Sequence, residues 1–91
     1  MSTKIKIPEY LKDKTDGQCI IDVTGNTVRE CLGALVRRYP ALKGEILDGQ
    51  GTLHVKWVVF INDKPVIGSD ELSAPATDGD VIQLVAMVSG G

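Results

Sequence analysis

The sequence has 91 residues, of which 43% are hydrophobic and 24% charged, a balance typical of a single soluble domain with one hydrophobic core. Ten lysines and arginines oppose twelve aspartates and glutamates, and the basic residues are scattered with no interleaved aromatics, which disfavours nucleic-acid binding. No apolar run approaches the roughly 20 residues that span a bilayer, and no signal-peptide core is present, so we expect a cytoplasmic protein that contacts no membrane.

The first predicted elements are two strands that pair as a hairpin. Residues 4–7 alternate polar and apolar side chains, and residues 18–23 form a second apolar segment beyond the turn signal Asp16-Gly17. Alternation in the second strand divides its side chains into an inward set and an outward set. The inward set is Cys19, Ile21 and Val23, and the outward set is Gln18, Ile20 and Asp22.

A helix is predicted to begin after Thr27. The segment Thr27-Val28-Arg29-Glu30 has the capping-box pattern, in which the Thr27 hydroxyl accepts from the third helical amide and Glu30 reaches back to the amide of Thr27. The apolar residues that follow keep helical spacing, and they are Val28, Leu32, Leu35, Val36 and Tyr39, with Cys31 beside them. Pro40 ends the helix at about Tyr39. A shorter helix is expected over residues 41–47 and a loop over 48–51.

The second half of the chain is predicted to be mainly β-strand. Residues 55–61 are apolar at nearly every position, the turn 62–65 follows, and a short strand near Val66-Ile67 should pair back. Another turn, Asp78-Gly79-Asp80, leads into a final strand over residues 81–87. This order predicts an α+β fold, with one main helix packed across a mixed sheet of four to five strands. Residues 1–87 would form the domain and residues 88–91 a flexible tail.

Side chains that could perform catalysis or bind a metal are scarce. His54 is the only histidine and is expected at the surface or a strand edge, and no serine lies in a Gly-x-Ser-x-Gly elbow. Asp78 and Asp80 lack the further ligands of a calcium loop. The two cysteines, Cys19 and Cys31, have neither disulfide-framework nor zinc spacing, so they are expected to be buried free thiols. The sequence thus predicts no catalytic residue and no metal site.

The C-terminal tail carries the functional signal. Without Cβ atoms, Gly90 and Gly91 would let an extended tail, with Val88 and Ser89, enter a narrow channel and bring its carboxylate to a nucleotide. The segment Thr77-Asp78-Gly79-Asp80-Val81, followed ten residues later by Gly91, resembles the ThiS/MoaD family of ubiquitin-like sulfur carriers, which pair an Asp-Gly-Asp turn with a final strand and a Gly-Gly end. Residues 51–54, leading into 60–63, are most similar to the CysO branch of that family, which serves cysteine synthesis. The sequence departs from many members at residues 85–87, where they carry a proline.

The resemblance implies a ubiquitin-like β-grasp fold and a mechanism carried out by partner enzymes. An activating enzyme of the ThiF/MoeB type would use ATP and Mg to adenylate Gly91, and a sulfide donor or sulfurtransferase would convert the adenylate into a thiocarboxylate. The carrier itself would bind no cofactor. In the CysO-like interpretation the acceptor is a pyridoxal-phosphate-dependent cysteine synthase, and a metalloprotease is a further candidate partner. Molybdopterin or thiamine synthesis would use the same tail. Two alternatives are a protein modifier conjugated to lysines through Gly91 and an inert ubiquitin-like binding module.

A surface for these partners is predicted on the sheet. If Trp57, Val59 and Ile61 face the core, period-two geometry turns Val58 and Phe60 outward. The inverse register stays open, because both faces of this strand are apolar. An exposed phenylalanine among aliphatic residues is typical of an interaction site. We call the predicted surface the docking patch, and it consists of Val58, Phe60, Val85 and Met87.

Overall fold

The protein folds as a five-stranded mixed sheet covered on one face by a helix. The computed structural model describes residues 2–47, 53–54, 57–66 and 71–86. The strands are β1 (Thr3–Lys6), β2 (Ile20–Val23), β3 (Trp57–Ile61), β4 (Lys64–Pro65) and β5 (Val81–Ala86), in the sheet order β2-β1-β5-β3-β4. β1 and β5 pair in parallel at the centre, and the remaining pairs are antiparallel. The predicted α+β architecture is confirmed.

β1 and β2 pair antiparallel as predicted, with Ile5 opposite Ile21, but a tight hairpin does not connect them. A 3-10 helix over Glu9–Lys14, which the sequence analysis missed, lies between them and buries Leu11. The predicted turn at Asp16-Gly17 is present, and both residues have positive φ, 56° and 83°. The placement of Cys19 inside the second strand is wrong: β2 begins one residue later, and Cys19 is only half-buried.

The helix α1 spans Val28–Arg38 and ends where Pro40 requires it to end. The Thr27 hydroxyl accepts from the amide of Glu30 at 3.2 Å, as the capping box predicts. The return bond differs, because the Glu30 carboxylate accepts from the amide of Asn26 at 2.8 Å and not from that of Thr27. The predicted shorter helix is present as a 3-10 turn, Pro40–Leu42, followed by α2, Lys43–Ile46. The predicted loop 48–51 lies outside the described residues.

β3 turns its apolar side chains in the predicted directions. Trp57 and Val59 are buried, and the indole N–H of Trp57 donates to the carbonyl of Glu45 at 3.0 Å. The turn at Asn62 and Asp63 has positive φ at both residues, 52° and 69°, which is the type I′ geometry of two-residue hairpins. The returning strand β4 begins at residue 64, slightly before its predicted position near residues 66–67, and the Val66 amide donates to the Val59 carbonyl at 2.8 Å. Residues 55, 56 and 67 are outside the described part of the chain.

β5 lies in the middle of the sheet, between β1 and β3. A turn at Asp78-Gly79 precedes it, as predicted, with Gly79 at φ 88°. A 3-10 helix over Glu71–Ser73 was not predicted. None of the helices in the described ranges has both the length and the apolar composition of a membrane span. The core joins the inner face of the sheet to α1, and its most deeply buried large side chains include Ile5, Ile21, Leu32, Leu35, Val59, Ile82 and Leu84.

Candidate functional site

The described part of the docking patch lies on the open face of the sheet, away from α1. Val59 and Leu84 are opposite each other and buried, so their neighbours along β3 and β5 turn to the other face. There Val58 lies directly across from Val85, which is 36% exposed. Phe60 is half-buried and faces Gln83. Met87 lies outside the described residues.

A groove continues this surface beside the end of β5. Its volume is about 360 Å³. The residues that line it include Lys6, Pro8, Glu9, Gln83, Val85 and Ala86. Val85 therefore belongs both to the docking patch and to the groove. The groove has no signal in the sequence, because the 3-10 helix that places Glu9 beside β5 has no apolar period.

The Asp-Gly-Asp turn is held by hydrogen bonds to two distant parts of the chain. One carboxylate oxygen of Asp80 accepts from the backbone N–H and the hydroxyl of Thr77, at 2.9 and 3.0 Å, and the other accepts from the Asn62 amide at 2.9 Å. These bonds, chiefly the one from the Thr77 backbone, lower the pKa of the Asp80 carboxyl. The Asn62 side-chain oxygen also accepts from the Val81 amide at 3.0 Å. Asp80 thus acts as a structural residue that fixes the start of β5.

Asp78 joins the same turn to the beginning of the chain. Its carboxylate accepts from the backbone N–H of Ser2 at 2.6 Å, while the N–H of Gly79 donates to the Ser2 carbonyl at 2.9 Å. The sequence predicts that Asp78 and Asp80 form a turn, and these contacts agree with that prediction. β5 is therefore anchored at its first residues before it runs toward the end of the chain.

The cysteines and the histidine have ordinary structural surroundings. Cys31 is fully buried, and desolvation raises the pKa of its thiol. Cys19 is half-buried, and both cysteines are free thiols. The His54 Nε2 atom lies 3.2 Å from the Gly44 carbonyl oxygen, a contact in which the ring nitrogen donates. The described residues contain no group of three or more histidine, cysteine and acidic side chains that could hold a metal ion.

The sequence-predicted tail, residues 88–91, lies outside the described residues. The last described residue is Ala86, which pairs with Trp57 across the β3–β5 ladder. Four residues, 87–90, therefore lie between the described fold and Gly91.

Comparison with known proteins establishes the family. Residues 5–91 match the sequence model of the ThiS family, from β1 through the last glycine. The chain belongs to the ThiS family. It is also 28% identical over 93 residues to the sulfur carrier protein CysO of Mycobacterium tuberculosis and of Mycobacterium bovis, and the match covers 100% of this chain and of each relative. The expected resemblance to the family and to CysO is confirmed.

Known structures agree with this assignment. The complex of BexX and CysO from Amycolatopsis orientalis contains a chain with a TM-score of 0.86 and 29% identity, and the match covers 98% of this chain and 99% of that one. Small archaeal modifier protein 1 from Haloferax volcanii has a TM-score of 0.83 and 28% identity, with both chains fully covered. The ubiquitin-like β-grasp fold is therefore confirmed. The matched relatives are small sulfur carrier proteins that are not enzymes themselves, and this chain is similar to them over its whole length.

Proposed function

We propose that this protein carries sulfur as a thiocarboxylate on Gly91. An activating enzyme of the ThiF/MoeB type, with ATP and Mg, would adenylate the Gly91 carboxylate, and a sulfide donor or sulfurtransferase would then supply sulfur. The observation that carries the proposal is the match to the ThiS family, which continues through residue 91, together with the full-length similarity to the sulfur carrier CysO. The cytoplasmic setting expected from the sequence is part of the proposal, because activation consumes ATP.

The proposed chemistry has two steps, both at the terminal carbonyl carbon. A Gly91 carboxylate oxygen attacks the α-phosphorus of ATP, pyrophosphate leaves, and an acyl-adenylate forms. Sulfide, or the terminal sulfur of a persulfide, then attacks the carbonyl carbon and AMP leaves with the bonding electron pair; a persulfide adduct is reduced by a thiol to release the thiocarboxylate. The carrier contributes positioning, because hydrogen bonds at Asp80 and two neighbouring strands fix β5 within the sheet.

The docking patch is the surface that we propose for the activating enzyme. Val58, Phe60 and Val85 form an apolar cluster outside the core, and an aromatic side chain among aliphatic ones is typical of binding hot spots. This cluster lies on the strand pair that leads to the tail. The chain that follows Ala86 would therefore start close to the surface of an enzyme that binds the patch. Met87, Val88, Ser89 and Gly90 complete the proposed contact.

Cysteine synthesis is the pathway that we favour, with a pyridoxal-phosphate-dependent synthase as acceptor and a metalloprotease as a further candidate partner. Support comes from the similarity to CysO along the whole chain. Molybdopterin or thiamine synthesis would require the same loaded tail and a different acceptor. Sulfur transfer from the thiocarboxylate to each candidate synthase with its acceptor substrate would distinguish these pathways.

Removal of the two terminal glycines tests the proposed function. Deletion of Gly90 and Gly91, and separately Gly91→Val, should abolish ATP–pyrophosphate exchange with the activating enzyme and the mass increase of thiocarboxylate formation. The valine variant keeps a free carboxylate but adds a branched Cβ where the chain must approach the nucleotide. The matched control is Gly44→Ala, because an added Cβ at this exposed glycine meets no atom within 4 Å. The control should be loaded normally.

The outcome that would overturn the proposal is adenylation and thiolation of the truncated chain at the parent rate. Failure of the intact chain to react with any ThiF/MoeB-type enzyme would favour an inert ubiquitin-like binding module. The deletion should change the free energy of unfolding by no more than about 0.5 kcal/mol, as is usual for changes away from buried features. Thermal denaturation of the truncated chain checks that loss of loading is not loss of fold.

A second candidate function is protein modification, in which Gly91 forms an isopeptide bond with lysines of other proteins. The similarity to small archaeal modifier protein 1 favours it. Both functions begin with the same adenylate and differ in the nucleophile that follows. Mass spectrometry of lysine-linked C-terminal remnants from the native host would detect this second function directly.

A further inference from the structure

We propose that the groove beside the end of β5 is filled by the activating enzyme and that Lys6 pairs there with a carboxylate of that enzyme. This inference rests on the proposed function and adds a specificity-determining residue to it. Three observations support it: the position of the groove, the state of its lysine, and the contrast with a second lysine on the same strand.

The position of the groove identifies its occupant. The last described residue, Ala86, lines it, and only five residues lie between Ala86 and the end of Gly91. A chain of five residues spans at most about 17 Å. An enzyme that holds the Gly91 carboxylate at its nucleotide must therefore approach within about 17 Å of Ala86. The groove and Val85, which joins it to the docking patch, lie inside that distance.

Lys6 is the charged β1 residue that lines the groove, so an enzyme that fills the groove would contact it. Its side chain is exposed on the open face, because Ile5 beside it is buried and points to the core. It lies in register with Gln83 of β5, which in turn faces Phe60 of β3. Within the part of the chain that the structure describes, Lys6 forms no ion pair. Glu9 also lines the groove, yet the two side chains are farther apart than the 4.0 Å of an ion pair.

Lys4 shows the contrasting state on the same face. Its ammonium group donates to the carboxylate of Asp22 at 2.7 Å, and this partner lowers the pKa of Asp22. Lys4 therefore has its counter-charge within the protein, whereas Lys6 has none among the described residues, so its charge can pair with another molecule. Unpaired charge at the rim of an apolar patch governs the association rate and the choice of partner more than the total affinity. The expected partner surface is apolar opposite Val85 and acidic opposite Lys6.

Charge substitutions on β1 test the inference. We expect Lys6→Gln to raise the KM for the carrier in pyrophosphate exchange about fivefold, and Lys6→Glu about tenfold, at low ionic strength. The value of kcat at saturating carrier should not change, because the tail is intact. The effect should shrink at 1 M salt, where the Debye length falls to about 3 Å. Lys4→Gln is the matched control on the same strand, and its KM should stay within about twofold of the parent.

A second control separates local charge from net charge. Lys43→Glu changes the total charge by the same amount as Lys6→Glu, but Lys43 lies in α2, on the core side of the sheet. The placement of α2 follows from the indole of the buried Trp57, which donates to the Glu45 carbonyl of α2. Its KM should be unchanged. A parent-like KM for Lys6→Glu, or an increase that is the same at high salt, would overturn the inference while leaving the proposed function intact. If the unsubstituted chain is never adenylated, both are wrong.

Discussion

Substitution of two adjacent β3 residues by aspartate should give opposite results, because the residues lie on opposite faces of the sheet. Val59 is fully buried against the core, whereas Phe60 is half-buried on the open face. Val59→Asp removes about 1.5–3 kcal/mol of burial and places an unpaired carboxylate in the core at a further cost of several kcal/mol. A domain of this length has a total stability of about 5–13 kcal/mol. Val59→Asp should therefore be largely or fully unfolded.

Phe60→Asp should fold and fail in binding. Loss of about half the burial of a phenylalanine, together with the poor strand propensity of aspartate, costs about 1–2 kcal/mol. For a domain of this size, that loss lowers Tm by about 5–15 °C and leaves the far-UV circular dichroism spectrum unchanged at 25 °C. Removal of an aromatic hot spot costs about 2 kcal/mol of binding, so the KM of the activating enzyme for the carrier should rise about 30-fold.

The measurements are a thermal melt for each variant and pyrophosphate exchange over a range of carrier concentrations. Two results would refute the reasoning. Unfolding of Phe60→Asp to the same extent as Val59→Asp would show that this side chain belongs to the core. A folded Phe60→Asp with the parent KM would show that the docking patch is not where the enzyme binds.

Three further predictions concern residues away from the patch. The double variant Cys19→Ala, Cys31→Ala should still gain the mass of the thiocarboxylate, because the proposed sulfur is bound at the terminal carbonyl; loss of loading in a folded double variant would contradict this. Loss of the buried Cys31 thiol should lower the free energy of unfolding, measured by chemical denaturation, by about 1–2 kcal/mol. Gly25→Ala should destabilise the fold by about 1–3 kcal/mol, because its Cβ would lie 2.9 Å from the Cys31 backbone nitrogen. Gly33→Ala in α1 meets no atom within 4 Å and should stabilise the fold by about 0.5–1 kcal/mol. Melting temperatures equal to that of the parent would argue against both expectations. The lowered pKa of Asp80 adds stability at pH values above about 3.9 that is lost as the pH falls through the folded-state value, so below pH 4 the Tm of the parent should fall more steeply than that of Asp80→Asn, and parallel curves would disprove the effect.

The sequence predicted those elements whose side chains repeat with a regular period. The helix α1 and the inward face of β3 follow from helical and two-residue periods, and Thr27 marks the start of the helix by its capping hydroxyl. The 3-10 helix over Glu9–Lys14 was missed because it buries only Leu11, and one apolar residue has no period. The start of β4 at residue 64, slightly before its predicted position, is set by the backbone of the type I′ turn and not by the apolar pattern that follows it.

Two parts of the candidate site could not be predicted, because they depend on contacts between distant residues. The bond from Asn62 to Asp80 crosses 18 residues, and each residue by itself is an ordinary turn former. The groove at Lys6 exists only because the parallel pairing of β1 with β5 brings the two ends of the domain together. The role proposed for Gly91 rests on the family resemblance. The direction of the docking patch came from the period of β3.

The central position of β5 also determines how the domain responds to mechanical load. β5 is bonded to β1 on one side and to β3 on the other, with five residue pairs in register on the β3 side. The bonds of a sheet run across the strands, so a pull on the chain beyond Ala86, directed along β5, loads many of them at once in shear and does not peel them apart one at a time. An enzyme could therefore bind the end of this protein tightly, and pull on it, without separating β5 from the sheet.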